Sequence, residues 1–191
     1  MQKPQLLKTK VYIALGANLK GRWGPPAATF KTALDHLASV GVTVTRVSSL
    51  YRTRAVGPGV QMPYLNAVVE AYTSRTAPEL LRLLKSIERQ AGRRFGRVWG
   101  PRALDLDLLD FGASQSPGPG GDQRRRRLVL PHPQMHRRAF VLAPLAEIAP
   151  SWRHPRLGRS ALALLRQLPL PVRRGVGDSL AFPHPACEKA S

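Results

Sequence analysis

Cysteine and long apolar runs are almost absent from this sequence, and each absence excludes a class of protein. The single cysteine, Cys187, cannot form an intramolecular disulfide bond, which fits a reducing compartment. No apolar run approaches the roughly 18 residues that a membrane span needs, and residues 1–10 carry lysines without a hydrophobic signal segment. We therefore expect a cytoplasmic protein that does not associate with a membrane.

Acidic residues are also scarce, with 11 Asp and Glu against 30 Lys and Arg and a formal net charge of +19. Such an excess favours an anionic partner, which could be nucleic acid, an anionic lipid surface or a polyphosphate substrate. Aromatic residues make up only 6% of the chain, and the aromatic motif of RNA-binding sheets is absent. A basic nucleic-acid-binding module therefore stays the alternative to an enzyme, and we expect no specific nucleic-acid partner.

The order of the predicted elements indicates the fold class. A length of 191 residues and a hydrophobic content of 43% suit one domain with a proper core. This apolar patterning predicts strands at 11–15, 42–53, 64–73 and 104–111, and helices at 27–38 and 77–91. The βαββαβ order is typical of an α+β, ferredoxin-like sandwich, in which both helices cover one face of an antiparallel sheet.

The C-terminal part of the chain predicts additional elements. A loop over 113–122 is followed by a short strand at 128–130 and helices at 138–148 and 160–168. Prolines between residues 169 and 185 predict that most of the remaining tail is irregular or loosely attached. The chain therefore divides into a basic N-terminal extension (1–10), a main domain (11–150) and a partly irregular C-terminal extension (151–191).

Two carboxylates, Asp105 and Asp107, alternate with leucines in a strand-like run. Alternate strand residues share a face, so these carboxylates lie about 6.6 Å apart along the strand and repel unless a cation sits between them. Such oxygen ligands suit magnesium, while the alternative is a half-buried strand with a solvated polar face. Trp99 and Arg102 precede the pair and favour a phosphate site. Strand alternation places Asp110 on the opposite face with the leucines, outside the metal shell.

Other candidate residues each have a functional and a structural interpretation. Tyr64 and Asn66 share a strand face and suit a planar, hydrogen-bonding ligand, or Asn66 bonds a neighbouring loop. Glu88 lies on the polar side of its helix and forms either a solvated ion pair or a nucleotide contact. Asn18 is a loop cap or a substrate contact, and His132 is structural or donates to a phosphate or a ring nitrogen.

Several short motifs together resemble one protein family over residues 11–150. The segment Trp99-Gly100-Pro101-Arg102-Ala103-Leu104-Asp105-Leu106-Asp107 is the most specific of them. The others are Gly16-Ala17-Asn18-Leu19, Ser48-Ser49-Leu50-Tyr51-Arg52-Thr53, Tyr64-Leu65-Asn66-Ala67, Glu88 with Gly92-Arg93, Pro131-His132-Pro133 and Arg138-Ala139-Phe140. In this order and spacing, the chain resembles 6-hydroxymethyl-7,8-dihydropterin pyrophosphokinase of folate biosynthesis.

The resemblance implies a ferredoxin-like fold and a monomeric, ATP-dependent enzyme. Such an enzyme transfers pyrophosphate from ATP to the hydroxymethyl group of a reduced pterin and releases AMP, with two Mg²⁺ ions between the carboxylates and the phosphates. By similarity, Asp105 and Asp107 bind metal, and Asp107, Arg93 and Arg102 are catalytic. The pterin is expected to contact Thr53, Val56, Tyr64, Asn66, Trp99 and Phe140. ATP is expected to contact Glu88, Trp99, Arg102, Leu108, Arg127, His132 and Arg138.

Overall fold

The computed structural model describes residues 8–54, 62–92, 102–114 and 128–182. The strands are β1 (Thr9–Ala17), β2 (Thr43–Val47), β3 (Leu50–Thr53), β4 (Tyr64–Thr73), β5 (Asp105–Phe111) and β6 (Val176–Leu180). The helices are α1 (Pro26–Ser39), α2 (Ala77–Gln90), α3 (Ala139–Ile148), α4 (Ala161–Gln167) and α5 (Leu170–Arg174), with a 3-10 turn at Met135–Arg137. None of the helices in these ranges is long and apolar enough to span a bilayer.

The strands form one six-stranded antiparallel sheet in the order β5-β1-β4-β3-β6, and β2 also pairs with β4. The predicted mixture of helices with an antiparallel sheet is confirmed, while its ferredoxin-like assignment stays a prediction. The single strand predicted at 42–53 is instead two strands. They separate at Ser48, because its hydroxyl oxygen accepts the Val68 N–H at 3.0 Å in place of a backbone carbonyl.

Strand β1 is covered on both faces, as its nearly continuous apolar sequence indicates. Val11, Ile13 and Leu15 face a first core with α1 and α2, whereas Tyr12 belongs to a second core with α3 and α4. The sheet therefore lies between two helical layers. The first core includes Phe30, Leu34, Leu80, Leu84 and Leu106, and the second includes Val68, Leu109, Leu142, Leu145, Trp152 and Leu164.

A β-bulge at Leu109 shifts the alternation of the β5 side chains between the two sheet faces, beyond Asp105 and Asp107. Ile13 pairs with Leu108 but Tyr12 pairs with Asp110, so Leu109 is the extra residue of the ladder. Asp110 therefore shares the Tyr12 face, and the prediction that it lies with the alternating leucines is wrong. Its Oδ2 accepts the indole N–H of Trp152 at 2.9 Å, and burial raises the pKa of this carboxyl.

The C-terminal region is more ordered than its proline content predicted. Residues 128–130 do not form the expected strand, but the helices predicted at 138–148 and 160–168 are confirmed as α3 and α4. After them, α5 leads into β6, which extends the sheet by pairing with β3, and Phe182 packs 6.5 Å from Phe30 in the first core. The prediction of an irregular tail is therefore wrong for residues 170–182. Cys187 lies outside the described residues.

Candidate active site

Three strands bring two of the predicted site residues, Asn66 and Asp105, together at one end of the sheet. Gly16 of β1 pairs with Asn66 of β4 on one side and with Asp105 of β5 on the other. A Cβ atom at Gly16 would lie 3.3 Å from Oδ1 of Asn66 and 3.9 Å from Cβ of Asp105. The missing side chain therefore leaves open the space between an amide and a carboxylate that are 39 positions apart in sequence.

The two carboxylates share one face of β5, as predicted from strand alternation. Asp105 pairs with Gly16 and Asp107 with Ala14, and their side chains are 27% and 28% exposed. Leu104, which precedes Asp105, is buried in the first core on the other face of the sheet. Within the described ranges, no group of three or more His, Cys, Asp or Glu could hold a metal ion.

Basic side chains surround the pair. The Arg102 guanidinium lies 2.9 Å from Oδ2 of Asp105. Asp107 is approached from two other elements, by Nη1 of Arg138 at 3.6 Å from its Oδ2 and by Nζ of Lys85 at 3.8 Å from its Oδ1. Three basic side chains thus lie around the two aspartates, and one of them, Lys85, also pairs with Glu88 at 2.6 Å. The result is a partly exposed site of mixed charge that suits phosphate groups and a bridging cation.

Glu88 connects α2 to the strand that carries the aspartates. Its side chain is only 2% exposed, and Oε1 accepts the Leu106 N–H at 2.7 Å and the Lys85 ammonium at 2.6 Å. The prediction of a solvated residue on the polar helix side is wrong, because this side of α2 packs on β5. Burial raises the pKa of Glu88, although Lys85 and the Leu106 N–H oppose the shift.

Lys85 is a site residue that sequence reasoning missed. Besides Glu88 and Asp107, its ammonium donates to the Leu106 carbonyl at 2.8 Å, so it contacts the backbone between the two aspartates. The available signal was its position one helical turn before Glu88, at the spacing of side-chain neighbours on a helix. A lysine at such a spacing usually forms a surface pair, so the packing of α2 against β5 was needed to identify it.

His132 is held beside Asp107 by the backbone on both sides. The backbone N–H of His132 donates to the Leu109 carbonyl at 2.8 Å, and the ring Nδ1 accepts the Gln134 backbone N–H at 3.2 Å. The neutral ring therefore carries its proton on Nε2, which lies 4.0 Å from Oδ2 of Asp107. Burial lowers the pKa of His132 and the Arg138 charge lowers it further, against the opposing effect of Asp107.

Asn18 positions Arg102 through the backbone. Its amide oxygen accepts the Arg102 N–H at 2.8 Å, and the Arg102 carbonyl accepts the backbone N–H groups of Asn18 and Leu19 at 3.0 and 3.2 Å. The Asn18 amide group also donates to the Met62 carbonyl at 3.2 Å. The bonds of this buried side chain fit the loop-cap alternative, and they join three loops around the carboxylates.

Four of the residues expected to contact a pterin are described, namely Thr53, Tyr64, Asn66 and Phe140, and they lie on the same side of the sheet. Asn66 and Thr53 are 5% and 6% exposed, and the Asn66 amide group donates to Oγ1 of Thr53 at 2.7 Å. Tyr64 is half-buried beside Arg102 and Asp105, and desolvation raises the pKa of its hydroxyl. Phe140 packs against the second core, with the Arg138 guanidinium 5.7 Å from its ring centroid.

Among the described residues of the predicted site, Leu108 is not brought into this group. The Leu108 side chain is 3% exposed and belongs to the first core, on the sheet face opposite Asp107. Val56, Arg93, Trp99 and Arg127 lie outside the described residues.

Comparisons with known proteins identify the family of the chain. A family model described as 7,8-dihydro-6-hydroxymethylpterin-pyrophosphokinase (HPPK) matches residues 12–150. The 2-amino-4-hydroxy-6-hydroxymethyldihydropteridine pyrophosphokinase of Synechocystis sp. is 44% identical over 157 residues, which are 82% of this chain and 74% of that relative. The enzyme of the same name from Bacillus subtilis is 43% identical over 137 residues, covering 72% and 76% of the two chains.

A solved structure has the same fold. The wild-type HPPK-DHPS of Plasmodium falciparum superimposes with a TM-score of 0.59 over 84% of this chain, at 13% sequence identity. At this identity the likeness concerns the fold alone. The chain spans less than half of that structure, because the matched part is 45% of its length.

Proposed function

Because the chain belongs to the 7,8-dihydro-6-hydroxymethylpterin-pyrophosphokinase family, we propose that its two same-face aspartates are the magnesium and phosphate end of the active site. The chain is an enzyme of folate biosynthesis that transfers pyrophosphate from ATP to the hydroxymethyl group of 6-hydroxymethyl-7,8-dihydropterin and releases AMP. The relatives named above are pyrophosphokinases, and they give the nucleic-acid-binding alternative no support.

One observation carries the assignment of the site. Asp105 and Asn66 flank the same glycine, so the carboxylate pair and the candidate pterin pocket are neighbours across one strand. Pyrophosphate transfer requires the pterin hydroxyl and the ATP phosphates to meet in line, and positioning contributes more than a strong base. Adjacent binding sites for the two substrates on one rigid sheet supply this positioning.

The carboxylate pair fits magnesium by its chemistry. Magnesium commonly takes one or two protein carboxylates and completes its octahedral shell with water and substrate phosphates. Asp105 and Asp107 offer two partly exposed carboxylates on a rigid strand, without a closed set of further anionic ligands among the described residues. We propose that they hold two Mg²⁺ ions, which supply charge neutralisation at the phosphates when bound.

The basic residues around the pair bind and orient phosphate groups. Arg102 and Arg138 have planar guanidinium groups that can make paired, charge-assisted hydrogen bonds to phosphate oxygens. Lys85 adds a third positive charge beside Asp107, and His132 offers its Nε2 proton in the neutral form. We propose that Arg102 is catalytic because it stabilises charge on the transferred group, and that Arg93, Arg127 and Trp99 assist from outside the described residues.

The transfer forms a bond from the hydroxymethyl oxygen of the pterin to the β-phosphorus of ATP. The bond from the β-phosphorus to the oxygen shared with the α-phosphate breaks, AMP leaves with that oxygen, and the hydroxyl proton is lost. We assign the orientation of the attacking hydroxyl to Asp107, which lies on the same sheet face as the pocket. We propose that Glu88 supports the ATP site from the α2–β5 side through its bond to the Leu106 N–H, and that Leu108 would contact ATP through its backbone, because its side chain is buried in the first core.

The pterin pocket is proposed at Asn66, Thr53 and Tyr64, with Phe140 as the opposing aromatic ring. Asn66 and Thr53 already form a buried hydrogen bond, which fixes the amide plane before a ligand binds. A pterin ring has donors and acceptors at its edge and apolar faces, so an oriented amide and aromatic side chains suit it. From the sequence resemblance, we also propose that Val56 and Trp99 contact the pterin.

The ferredoxin-like description of the fold, the oligomeric state, the cellular location and the domain division are proposals. The strand order β5-β1-β4-β3 supports describing residues 9–111 as a ferredoxin-like unit, with α3, α4, α5 and β6 as additions. A monomeric state and a cytoplasmic location rest on the sequence, as does the division of the chain at residue 150.

Metal binding tests the proposed site directly. We expect two Mn²⁺ ions, detected by electron paramagnetic resonance, to bind with an ATP analogue that carries a methylene group between its α- and β-phosphorus atoms. Asp105→Asn and Asp107→Asn should each weaken this binding, since each removes a charged ligand. Asp110→Asn is the matched control on the same strand and should bind as the wild type does. Unchanged Mn²⁺ binding in the first two variants contradicts the assignment.

A further inference from the structure

A second basic site lies apart from the carboxylate pair, in a cavity of about 570 Å³ between the 3-10 turn and α4. Three arginines and one histidine line it: Arg137, Arg156, Arg159 and His136. None of the residues lining it is acidic. A concave site with several cations and no carboxylate in its wall attracts an anion.

The same cavity has an apolar wall. Leu157, Leu164 and Leu168 line it beside the cations, and Leu164 is also part of the second core. An inorganic anion would leave these leucines without a favourable contact. A ligand with a ring or an alkyl part and an anionic group satisfies both walls.

The positive charge of the cavity rests on the arginines. Arg159 donates to the amide oxygen of Gln167 at 2.6 Å, a neutral partner that orients the guanidinium without cancelling its charge. Burial and the Arg137 charge lower the pKa of His136, which favours the neutral form of this ring. It then acts as a hydrogen-bonding group beside the permanently charged guanidinium groups.

The cavity adjoins the active-site segment without using its residues. Arg137 lines the cavity, while the next residue, Arg138, contacts Asp107. On the other side, Arg156 donates to the Leu130 carbonyl at 3.3 Å, two positions before His132. The cavity therefore lies behind the segment that carries His132 and Arg138.

We propose that this cavity binds an organic phosphate, with the phosphate against Arg137 and Arg159 and the ring part against Leu157, Leu164 and Leu168. The residues that line this site are distinct from those of the proposed substrate site. Phosphate groups suit guanidinium pairs, and the leucines provide the preference for an organic over an inorganic anion.

Nuclear magnetic resonance titration of the full chain with AMP tests the proposal. Amide signals of Gly158, Leu164 and Gln167 report on the cavity, whereas those of Ala14 and Gly16 report on the active site. We expect saturable shifts at the cavity signals. A double variant, Arg137→Gln with Arg159→Gln, should weaken that binding about tenfold or more because it removes two charge-assisted contacts, while leaving the active-site shifts in place.

Arg166→Gln is the matched control, since it removes an arginine from α4 that does not line the cavity. It should bind AMP at the cavity as the wild type does. Inorganic pyrophosphate serves as the anion without a ring and should bind there more weakly than AMP. The proposal is overturned if the wild type shows no saturable cavity shifts, if the double variant binds equally well, or if pyrophosphate binds as tightly as AMP.

Discussion

The backbone N–H of Arg102 donates to the amide oxygen of Asn18 at 2.8 Å, although the two residues are 84 positions apart. This bond fixes the backbone position of Arg102, whose guanidinium Nη1 lies 2.9 Å from Oδ2 of Asp105. Asn18 therefore acts through Arg102 and is a positioning residue. Its own amide is occupied by backbone groups of the protein.

Asn18→Ala should lower kcat/KM about 10- to 100-fold, because displacing Arg102, the arginine proposed to bind phosphate, by about 1 Å is costly for an aligned transfer. Asn18→Asp keeps the oxygen that accepts the Arg102 N–H and should retain more activity than the alanine variant. Steady-state kinetics of both variants, with circular dichroism to verify folding, make the comparison. Equal losses in the two variants would argue against the positioning role.

Asp107 and Asp110 provide a matched pair on one strand and one face. Asp107→Asn should reduce kcat roughly 10²- to 10³-fold, the scale of losing an important electrostatic group in an active site. Asp110→Asn should retain most of the activity, because this carboxylate bonds Trp152 in the second core. Turnover measured at saturating substrates decides the point, and a comparable loss in both variants contradicts the assignment of the metal site.

Glu88 should be needed for stability as well as for the shape of the site. Glu88→Ala removes the acceptor of the Leu106 N–H and should lower the free energy of unfolding by roughly 3 kcal/mol, while Glu88→Gln, which keeps an acceptor, should cost about 1 kcal/mol. Urea denaturation measures both values. Similar costs for the two substitutions would show that the hydrogen bond to β5 contributes little.

A double-mutant cycle of Lys85→Met with Glu88→Gln measures how strongly the two residues depend on each other. The Lys85 side chain is 39% exposed, so solvent screens part of the interaction with Glu88. We expect a coupling of about 1 kcal/mol, within the usual range for contacting residues. A cycle without coupling would mean that Lys85 acts on Asp107 and Leu106 independently of Glu88.

His132 should titrate below its ordinary pKa of 6.5 and be mostly neutral at pH 7. Its folded pKa lies below the unfolded value, so its contribution to stability is complete above pH 6.5 and is lost as the pH falls through the folded pKa. Asp107→Asn should lower the pKa of His132 further, because the carboxylate favours the imidazolium. Arg138→Gln should raise it, and proton resonances of the imidazole ring followed against pH will show whether the two shifts have opposite signs.

The sequence predicted the parts of the fold that depend on local periodicity. Alternation from Leu104 to Leu108 correctly placed Asp105 and Asp107 on one face, and helix α2 follows from its capping box and apolar stripe. Alternation failed at Asp110 because the bulge at Leu109 arises from pairing with β1. No residue type at that position signals it.

Other features depend on contacts between distant segments and could not be predicted from one sequence. Lys85 is an ordinary surface lysine until α2 packs on β5. Strand β6 contains Gly177, Asp178 and Ser179, which are poor strand formers, and it forms because the edge of β3 is available for pairing. Site residues that belong to a sequence motif, such as Asp105 and Asp107, were therefore predicted. Lys85, which joins the site only because α2 packs on β5, was missed.

The nucleotide product tests the account most directly. Purified chain with magnesium, ATP and 6-hydroxymethyl-7,8-dihydropterin should yield AMP and the pterin pyrophosphate in equal amounts, followed by ³¹P nuclear magnetic resonance. Omission of the pterin should abolish AMP formation, and Asp107→Asn should reduce it as described for turnover. Formation of ADP with a pterin monophosphate, or the absence of any pterin-dependent product, would contradict the pyrophosphate transfer on which the account rests.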